Sequence, residues 1–189
     1  HEKGAQGMML TREPFYFLRH GQTDWNAEGL LQGQTNLPLN VIGKNQANEA
    51  KVRLIDIPVT TICCSPLDRA WQTAMIINEA LKCQLVIIDE LQECNFGEAE
   101  GKRLFVDSYD ELIRRAERYG GEPFELFVDR VIAGVNQALA HPGPVLIVSH
   151  GGVFRAVQSY IHLEHNGDLP NCVPVSIKPP GAQDLDWKL

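Results

Sequence analysis

No run of about 18 or more consecutive apolar residues occurs in this 189-residue chain, so nothing in it reads as a membrane-spanning helix. No Lys/Arg-rich block occurs either, and the formal net charge is −7; the basic stripe of a nucleic-acid binder is missing, so neither nucleic acid nor membrane is expected as a partner. An anionic ligand would need a local basic pocket working against that acidic background. The five cysteines (Cys63, Cys64, Cys83, Cys94 and Cys172) form an odd set with one adjacent pair and no C-x-x-C spacing. A disulfide framework is therefore not expected, and a reducing, cytoplasmic location is. Cys63 and Cys64 lie in an apolar run and read as small buried filler. No G-x-S-x-G elbow appears and no cysteine sits at a Gly-flanked turn, which sets aside Ser-His and Cys-His hydrolases. Repeats, low-complexity tracts and linkers are missing too. His1 to Gly7 lacks the apolar core of a signal peptide. Residues 1–9 read as a tag remnant or disordered N-terminus, with Met8 or Met9 the expected native start and 10–189 one domain.

What is present is ordinary for a soluble globular protein: 44% apolar and 22% charged residues, in a chain long enough to bury a full core. FYFL (15–18), TTICC (60–64), LVII (85–88) and VLIVS (145–149) read as buried strands. VPVSI (173–177) and the last residues are candidates for two more. Helical spacing marks 43–54, where Ala47, Ala50 and Leu54 share a face, and the stretch after Ser65-Pro66, where Ala70, Ala74, Ile77 and Leu81 do. Ser65 is the expected N-cap there and Pro66 the first helical residue. Residues 104–118 read as a mostly polar helix, with Asp107, Asp110 and Glu111 on an exposed face. A firmer helix over 123–140 carries a stripe of Phe124, Phe127, Val128, Val131, Val135 and Leu139. Gly151-Gly152 turns the last strong strand into a helix at 153–162. Strands that alternate with helices and are apolar throughout predict a three-layer α/β/α sandwich with a mostly parallel central sheet.

In such sheets ligands bind beyond the carboxyl ends of the strands. FYFL ends in Arg19-His20, TTICC in Ser65 and then Arg69, and VLIVS in His150-Gly151. Short loops at one sheet edge would gather two guanidiniums and two imidazoles, which repel one another unless an anion lies among them. Arginine forks match phosphate oxygens, and a helix starting at Pro66 would add backbone N–H groups to the same anion.

LRHGQTDWN resembles the R-H-G signature of the histidine phosphatase superfamily, the phosphoglycerate mutase-like family. EGLLQGQTNLPLN (28–40) is similar to its G-x-x-Q-G-x-x-D-x-P-L segment, and SPLDRAWQTA (65–74) to S-x-L-x-R-A-x-Q-T-A. LQECNFGEAEGK (91–102) resembles L-x-E-x-x-F-G-x-W-E-G, and LIVSHGGVFRAV (146–157) resembles V-S-H-G-G-x-x-R. The resemblance implies that His20 is the nucleophile, forming a phosphohistidine. Its other ring nitrogen then needs an acceptor, expected to be a backbone carbonyl. Arg19, Arg69 and His150 are implied to clamp the phosphoryl oxygens. Asn26 is a further donor, and Thr23 and Gln32 are lesser contacts. Gly33 and Gly151 lie in the matched blocks and count among the phosphate-binding positions. Glu93 is implied to be the general acid, with Phe96 as an apolar neighbour that raises its pKa. Glu122 aligns with a G-G-E-S segment of many members. No metal or other cofactor is implied.

Three positions depart from the family pattern: Ala99 replaces a tryptophan, Asn36 an aspartate, and Pro123 a serine. They bear on substrate preference, not on a catalytic group. His162, Glu164 and His165 are metal-ligand types at close spacing but read as a solvated turn, and Cys94 as packing. The expected substrate is a small phosphomonoester. The expected function is metal-independent hydrolysis, against two alternatives: a phosphoglycerate mutase-type transfer, and a phosphate-binding module without turnover. The acid motif ECNFGEAEG is the phosphatase-like version. Sugar phosphates, phosphoglycerates, nucleotides and ribazole phosphate remain open as substrates. Segments 28–36 and 95–125, read as loop-like and a candidate lid, are where leaving-group contacts are expected.

Overall fold

The structure, a computed structural model, describes residues 8–104, 108–181 and 186–189. Five strands form its sheet: β1 (Phe15–Arg19), β2 (Thr61–Cys64), β3 (Gln84–Ile87), β4 (Val145–Ser149) and β5 (Val175–Ile177). The helices are α1 (Asp24–Glu28), α2 (Val41–Leu54), α3 (Asp68–Leu81), α4 (Tyr109–Arg115), α5 (Phe124–Leu139) and α6 (Gly151–Ile161). The strand order is β3-β2-β4-β1-β5, with β5 antiparallel at one edge and every other pairing parallel.

Pleating sends alternate residues of each strand to opposite faces. Phe15, Phe17, Cys63, Val145 and Ile147 face one layer with the buried residues of α5 and α6. Leu18, Ile62, Cys64, Leu146 and Val148 face the other with those of α2 and α3. Strands covered on both faces are mostly apolar, which is why β2 and β4 are wholly buried and carry only one polar residue each, Thr61 and Ser149, whose hydroxyls donate to the Pro142 and Leu91 carbonyls. The expected α/β/α sandwich is the observed architecture. α2 lies close because Ala47 and Ala50 are small and Gly43 meets Gly21: a Cβ at either glycine would run into backbone of the other segment.

Several boundaries differ from the sequence expectation, each for a local reason. α2 starts at Val41 rather than 43, since Asn40 caps it through Oδ1 to the Gly43 N–H at 2.8 Å. α3 starts at Asp68 rather than Pro66; Ser65 is not its N-cap, because its Oγ accepts from Leu67 N at 3.2 Å within the preceding turn. β3 is shifted to 84–87 and is a half-exposed edge strand, not a buried one. α6 begins at Gly151, so the glycine pair forms its buried first turn. In the stretch read as one helix over 104–118, Ser108 caps α4 and residues 116–119 form a 3₁₀ turn. Residues 105–107, including Asp107, lie outside the described residues. The strand expected over 173–177 shortens to β5, and the chain end adds an isolated bridge between Lys178 and Lys188. The short α1 was not anticipated, although Thr23 and Asn26 close it with a reciprocal capping box.

Phe17 and Phe154 sit at the centre of the larger core, ring centroids 5.6 Å apart and both fully buried. Phe154→Ala is expected to cost about 3–5 kcal/mol of unfolding free energy. Ile87→Ala, on the exposed edge strand, should stay within about 0.5 kcal/mol of wild type. Urea unfolding midpoints of the two variants check this; similar losses in both would contradict the assignment of core and edge.

Candidate active site

Parallel pairing puts the carboxyl ends of β1, β2 and β4 side by side: Arg19 is level with Ser149, and Cys64 with Val148. The residues that follow, His20, Ser65 and His150, therefore meet at one edge of the sheet, and all three are buried. The His20 and His150 rings are 5.2 Å apart.

The His20 backbone is fixed through its N–H to Ser149 O at 3.0 Å and through Asn171 Nδ2 to its carbonyl at 2.8 Å. Its Nδ1 lies 2.6 Å from the Gly21 carbonyl. A carbonyl only accepts, so Nδ1 carries the proton and Nε2 keeps a free lone pair. Burial, then the charges of Arg69 and Arg19, hold the His20 pKa well below its ordinary value against the opposing pull of the Gly21 carbonyl. The ring is neutral.

Ser65 Oγ, which accepts the Leu67 N–H, lies 2.7 Å from His150 Nε2 and has a proton to donate there. With Nε2 accepting, His150 Nδ1 bears hydrogen, and none of the described residues receives it. Burial, followed by Arg69, His20 and Arg19, pushes this pKa well down as well.

Arg69 enters from the first turn of α3, 1% exposed. Its terminal nitrogens donate to Gly33 O at 2.5 Å and Thr35 O at 2.8 Å. Arg19 donates from Nη1 to Leu169 O at 2.8 Å. In both guanidiniums Nε is buried without a partner. Four buried side-chain N/O atoms lack partners among the described residues, and three of them are Arg19 Nε, Arg69 Nε and His150 Nδ1. Both arginines act electrostatically on His20, His150 and Glu93. The three groups thus form one electrostatically coupled cluster of unsatisfied donors, an arrangement suited to an anion.

Glu93 is 2% exposed. Its Oε1 accepts from Cys94 N at 2.8 Å, and its Oε2 from Gly152 N at 3.0 Å and Tyr109 OH at 3.2 Å. Burial raises its pKa, opposed by the two backbone donors and by Arg69 and Arg19. Gly152 is required here, because a Cβ would collide with the carboxylate.

Other expected contacts are reassigned. Glu122 is engaged elsewhere: it pairs with Arg130 at 2.7 Å and accepts from Asn95 N at 3.1 Å. Arg130 in turn donates to the carbonyls of Glu90, Gln92 and Glu93, fixing the turn that carries the carboxylate. Gly33 contributes through its carbonyl to Arg69. Its φ of +56° and the Glu100 carboxylate against its Cα leave no room for a side chain. Thr23 and Gln32 bond to each other at 2.5 Å. Asn26 Oδ1 accepts from Thr23 N at 3.1 Å, leaving Nδ2 for a ligand. Gly151 packs against Arg19 Nε. Of the backbone donors expected to meet the anion at the start of α3, Leu67 N is held by Ser65 and Asp68 N by Asn36 Oδ1 at 2.8 Å. Asn36 therefore serves as a cap, and Ala99 is buried in the core. His162 ends α6 in the left-handed conformation, and His165 packs edge-on to Phe154 at 5.5 Å. No group of three or more metal-ligand side chains is assembled among the described residues.

Sequence reasoning missed Tyr109, Ser65 as partner of His150, Arg130 and Glu100. The last binds the backbone of Gln34, Thr35 and Phe96. Tyr109 meets Glu93 across 16 residues and Ser65 meets His150 across 85, separations that local spacing does not reveal.

The chain belongs to the histidine phosphatase superfamily: residues 15–174 match the profile of its branch 1. It is 39% identical over 153 residues to the uncharacterized phosphatase PhoE of Bacillus subtilis (strain 168), covering 76% of this chain and 75% of that one. It is 33% identical over 188 residues to the probable phosphoglycerate mutase GpmB of Proteus mirabilis (strain HI4320), covering 91% and 86%. The crystal structure of TTHB049 from Thermus thermophilus superposes with a TM-score of 0.68 at 30% identity, over 87% of this chain and 93% of that one.

The two imidazoles have a consequence for stability. Their folded pKa values lie below the unfolded value of 6.5. The unfolded chain therefore takes up protons that the native state refuses as pH falls through 6.5, and stability drops, by up to about 1.4 kcal/mol per pH unit for each ring. Glu93, raised above 4.5, has the opposite sign: its contribution is full below 4.5 and is lost as pH rises through its folded pKa. His20→Asn is expected to flatten the acid-side loss in urea titrations between pH 6.5 and 5. An unchanged slope would mean that His20 is not held neutral.

Proposed function

We propose that the protein is a phosphomonoesterase acting through a phosphohistidine at His20. One observation carries this reading: three buried N–H groups without a partner among the described residues are clustered with a neutral imidazole whose Nδ1 is committed to the Gly21 carbonyl, which leaves Nε2 its lone pair. In the first step Nε2 attacks phosphorus, the P–Nε2 bond forms and the ester P–O bond breaks. The leaving oxygen takes the proton of the Glu93 carboxyl and departs as an alcohol. In the second step water attacks phosphorus and gives its proton to Glu93, the P–Nε2 electrons return to the ring, and phosphate leaves. Arg19, Arg69 and His150 hold the non-bridging oxygens throughout, where transition-state charge collects. The guanidiniums supply positive charge, so the reaction proceeds without a metal and a chelator leaves the rate unchanged. The unpaired thiols of all five cysteines fit a cytoplasmic setting.

Mutase-type transfer uses the same first step and differs in returning the phosphoryl group to the organic product before water enters. The likeness to GpmB over most of the chain favours it; the phosphatase-like form of the acid motif favours hydrolysis, which is the reading adopted.

The experiment is a phosphate-release assay on alkyl and activated aryl phosphates, with 3-phosphoglycerate and its 2-isomer followed together. Wild type should release phosphate and His20→Ala should release none. Glu93→Gln should lose about 10²–10⁴-fold on alkyl esters and less than about tenfold on 4-nitrophenyl phosphate, whose leaving group needs no proton. Neutral His20 and protonated Glu93 are both required, so the alkaline limb on alkyl esters belongs to Glu93 and should be absent with the aryl ester. Interconversion of phosphoglycerates without phosphate release would make the protein a mutase.

A further inference from the structure

Beside the anion pocket lies a cavity of about 200 Å³ lined by Asn26, Leu30, Leu31, Leu104, Tyr109 and Leu112. It is bounded by the segments before and after the acid motif, and none of its lining side chains carries a charge. Tyr109 belongs to both sites. Its ring forms one wall, stacked edge-on against Phe96 at 6.1 Å, while its hydroxyl donates to Glu93 Oε2.

We propose that this cavity takes the alcohol portion of the ester, that the substrate class is a phosphomonoester of a small, largely apolar alcohol, and that Tyr109 couples the filled cavity to the acid. The inference rests on the phosphatase reading and extends it to the leaving group. Size and chemistry both support it. An apolar cavity of roughly 150 Å³ accepts a benzene ring, so one ring or a short branched chain fits here. A carboxylate, as in phosphoglycerate, would be desolvated against a lining that carries no cationic side chain, which is unfavourable. A polyhydroxylated sugar would face leucines, with only Asn26 and the tyrosine hydroxyl to satisfy it.

Tyr109 also settles where the acid proton sits. A carboxylate offers about four in-plane acceptor positions. Cys94 N occupies one on Oε1, and Gly152 N and Tyr109 OH occupy both on Oε2. The open position is on Oε1, so the proton resides there. Tyr109 is thus a positioning residue for Glu93 and a wall for the leaving group.

The test compares benzyl phosphate with glycerol 1-phosphate, both primary alkyl esters, in wild type, Leu30→Asn, Leu112→Asn and Tyr109→Phe. Wild type should prefer the benzyl ester by at least about tenfold in kcat/KM, a modest expectation when one methylene in an apolar pocket is worth about 10–200-fold. Either Leu→Asn change should shrink that preference through KM for benzyl phosphate. Tyr109→Phe keeps the wall and loses the donor. It should leave KM for benzyl phosphate within about twofold, lower kcat, and move the alkaline limb to higher pH, since a bond favouring ionised Glu93 is gone. No preference in wild type, or an unchanged preference in both Leu→Asn variants, would overturn the proposal. If no ester releases phosphate, the phosphatase reading falls instead. Calorimetric binding of benzylphosphonate against methylphosphonate to His20→Ala then decides the cavity alone: tighter binding of the benzyl compound, weakened by Leu112→Asn, supports it, and equal binding overturns it.

Discussion

Parallel pairing of β1 with β4, in the register that sets Arg19 level with Ser149, is what makes the site possible. It aligns two strand ends and so brings His20 and His150 into one pocket. β2 joins on the other side of β4 and adds Ser65, which fixes the tautomer of His150. A slip of one residue would reverse the faces of every strand residue and part the two imidazoles. The apolar packing on both faces of β4 is therefore also what holds the catalytic geometry.

That geometry is held under electrostatic stress. Each buried donor without a partner costs about 1–3 kcal/mol, and three such donors stand together, two of them on guanidiniums. An anion relieves the stress, and it does so locally, despite the acidic chain as a whole. Charges exposed to salt water are screened over about 8–10 Å, whereas buried ones interact at much lower dielectric. The same burial acts in opposite senses on the two kinds of group: it lowers the pKa of the imidazole and raises that of the carboxyl. In the proposed reaction one environment thus prepares both a nucleophile and an acid.

A second layer of side chains keeps this arrangement rigid. Glu100 ties down the loop whose carbonyls grip Arg69, and Arg130 with Glu122 ties down the turn that bears Glu93. In each case an ionised group is committed to backbone, so a loop is held as firmly as a strand end. The family likeness agrees with this division of labour: the anion pocket lies within the matched blocks, while Leu104, Tyr109 and Leu112 lie outside the motifs compared.

Residue patterning was enough for the sheet, the layers and the gathering of His20, Ser65 and His150 at one sheet edge. Continuous apolar runs that alternate with helices read as strands of a covered parallel sheet, whose carboxyl ends then collect at one edge, although LVII proved to be a half-exposed edge strand. The partners created by long-range contact had to come from the folded chain. Glu122, chemically a plausible phosphate contact, became the partner of Arg130. The backbone donors expected at the start of α3 were already taken by Ser65 and Asn36. Tyr109, in a stretch that read as polar helix, came to touch the acid. Local pattern dictates whether a residue is buried and in which element. Which partner a buried polar group finds depends on segments that fold against it from elsewhere in the chain, and no local spacing encodes that.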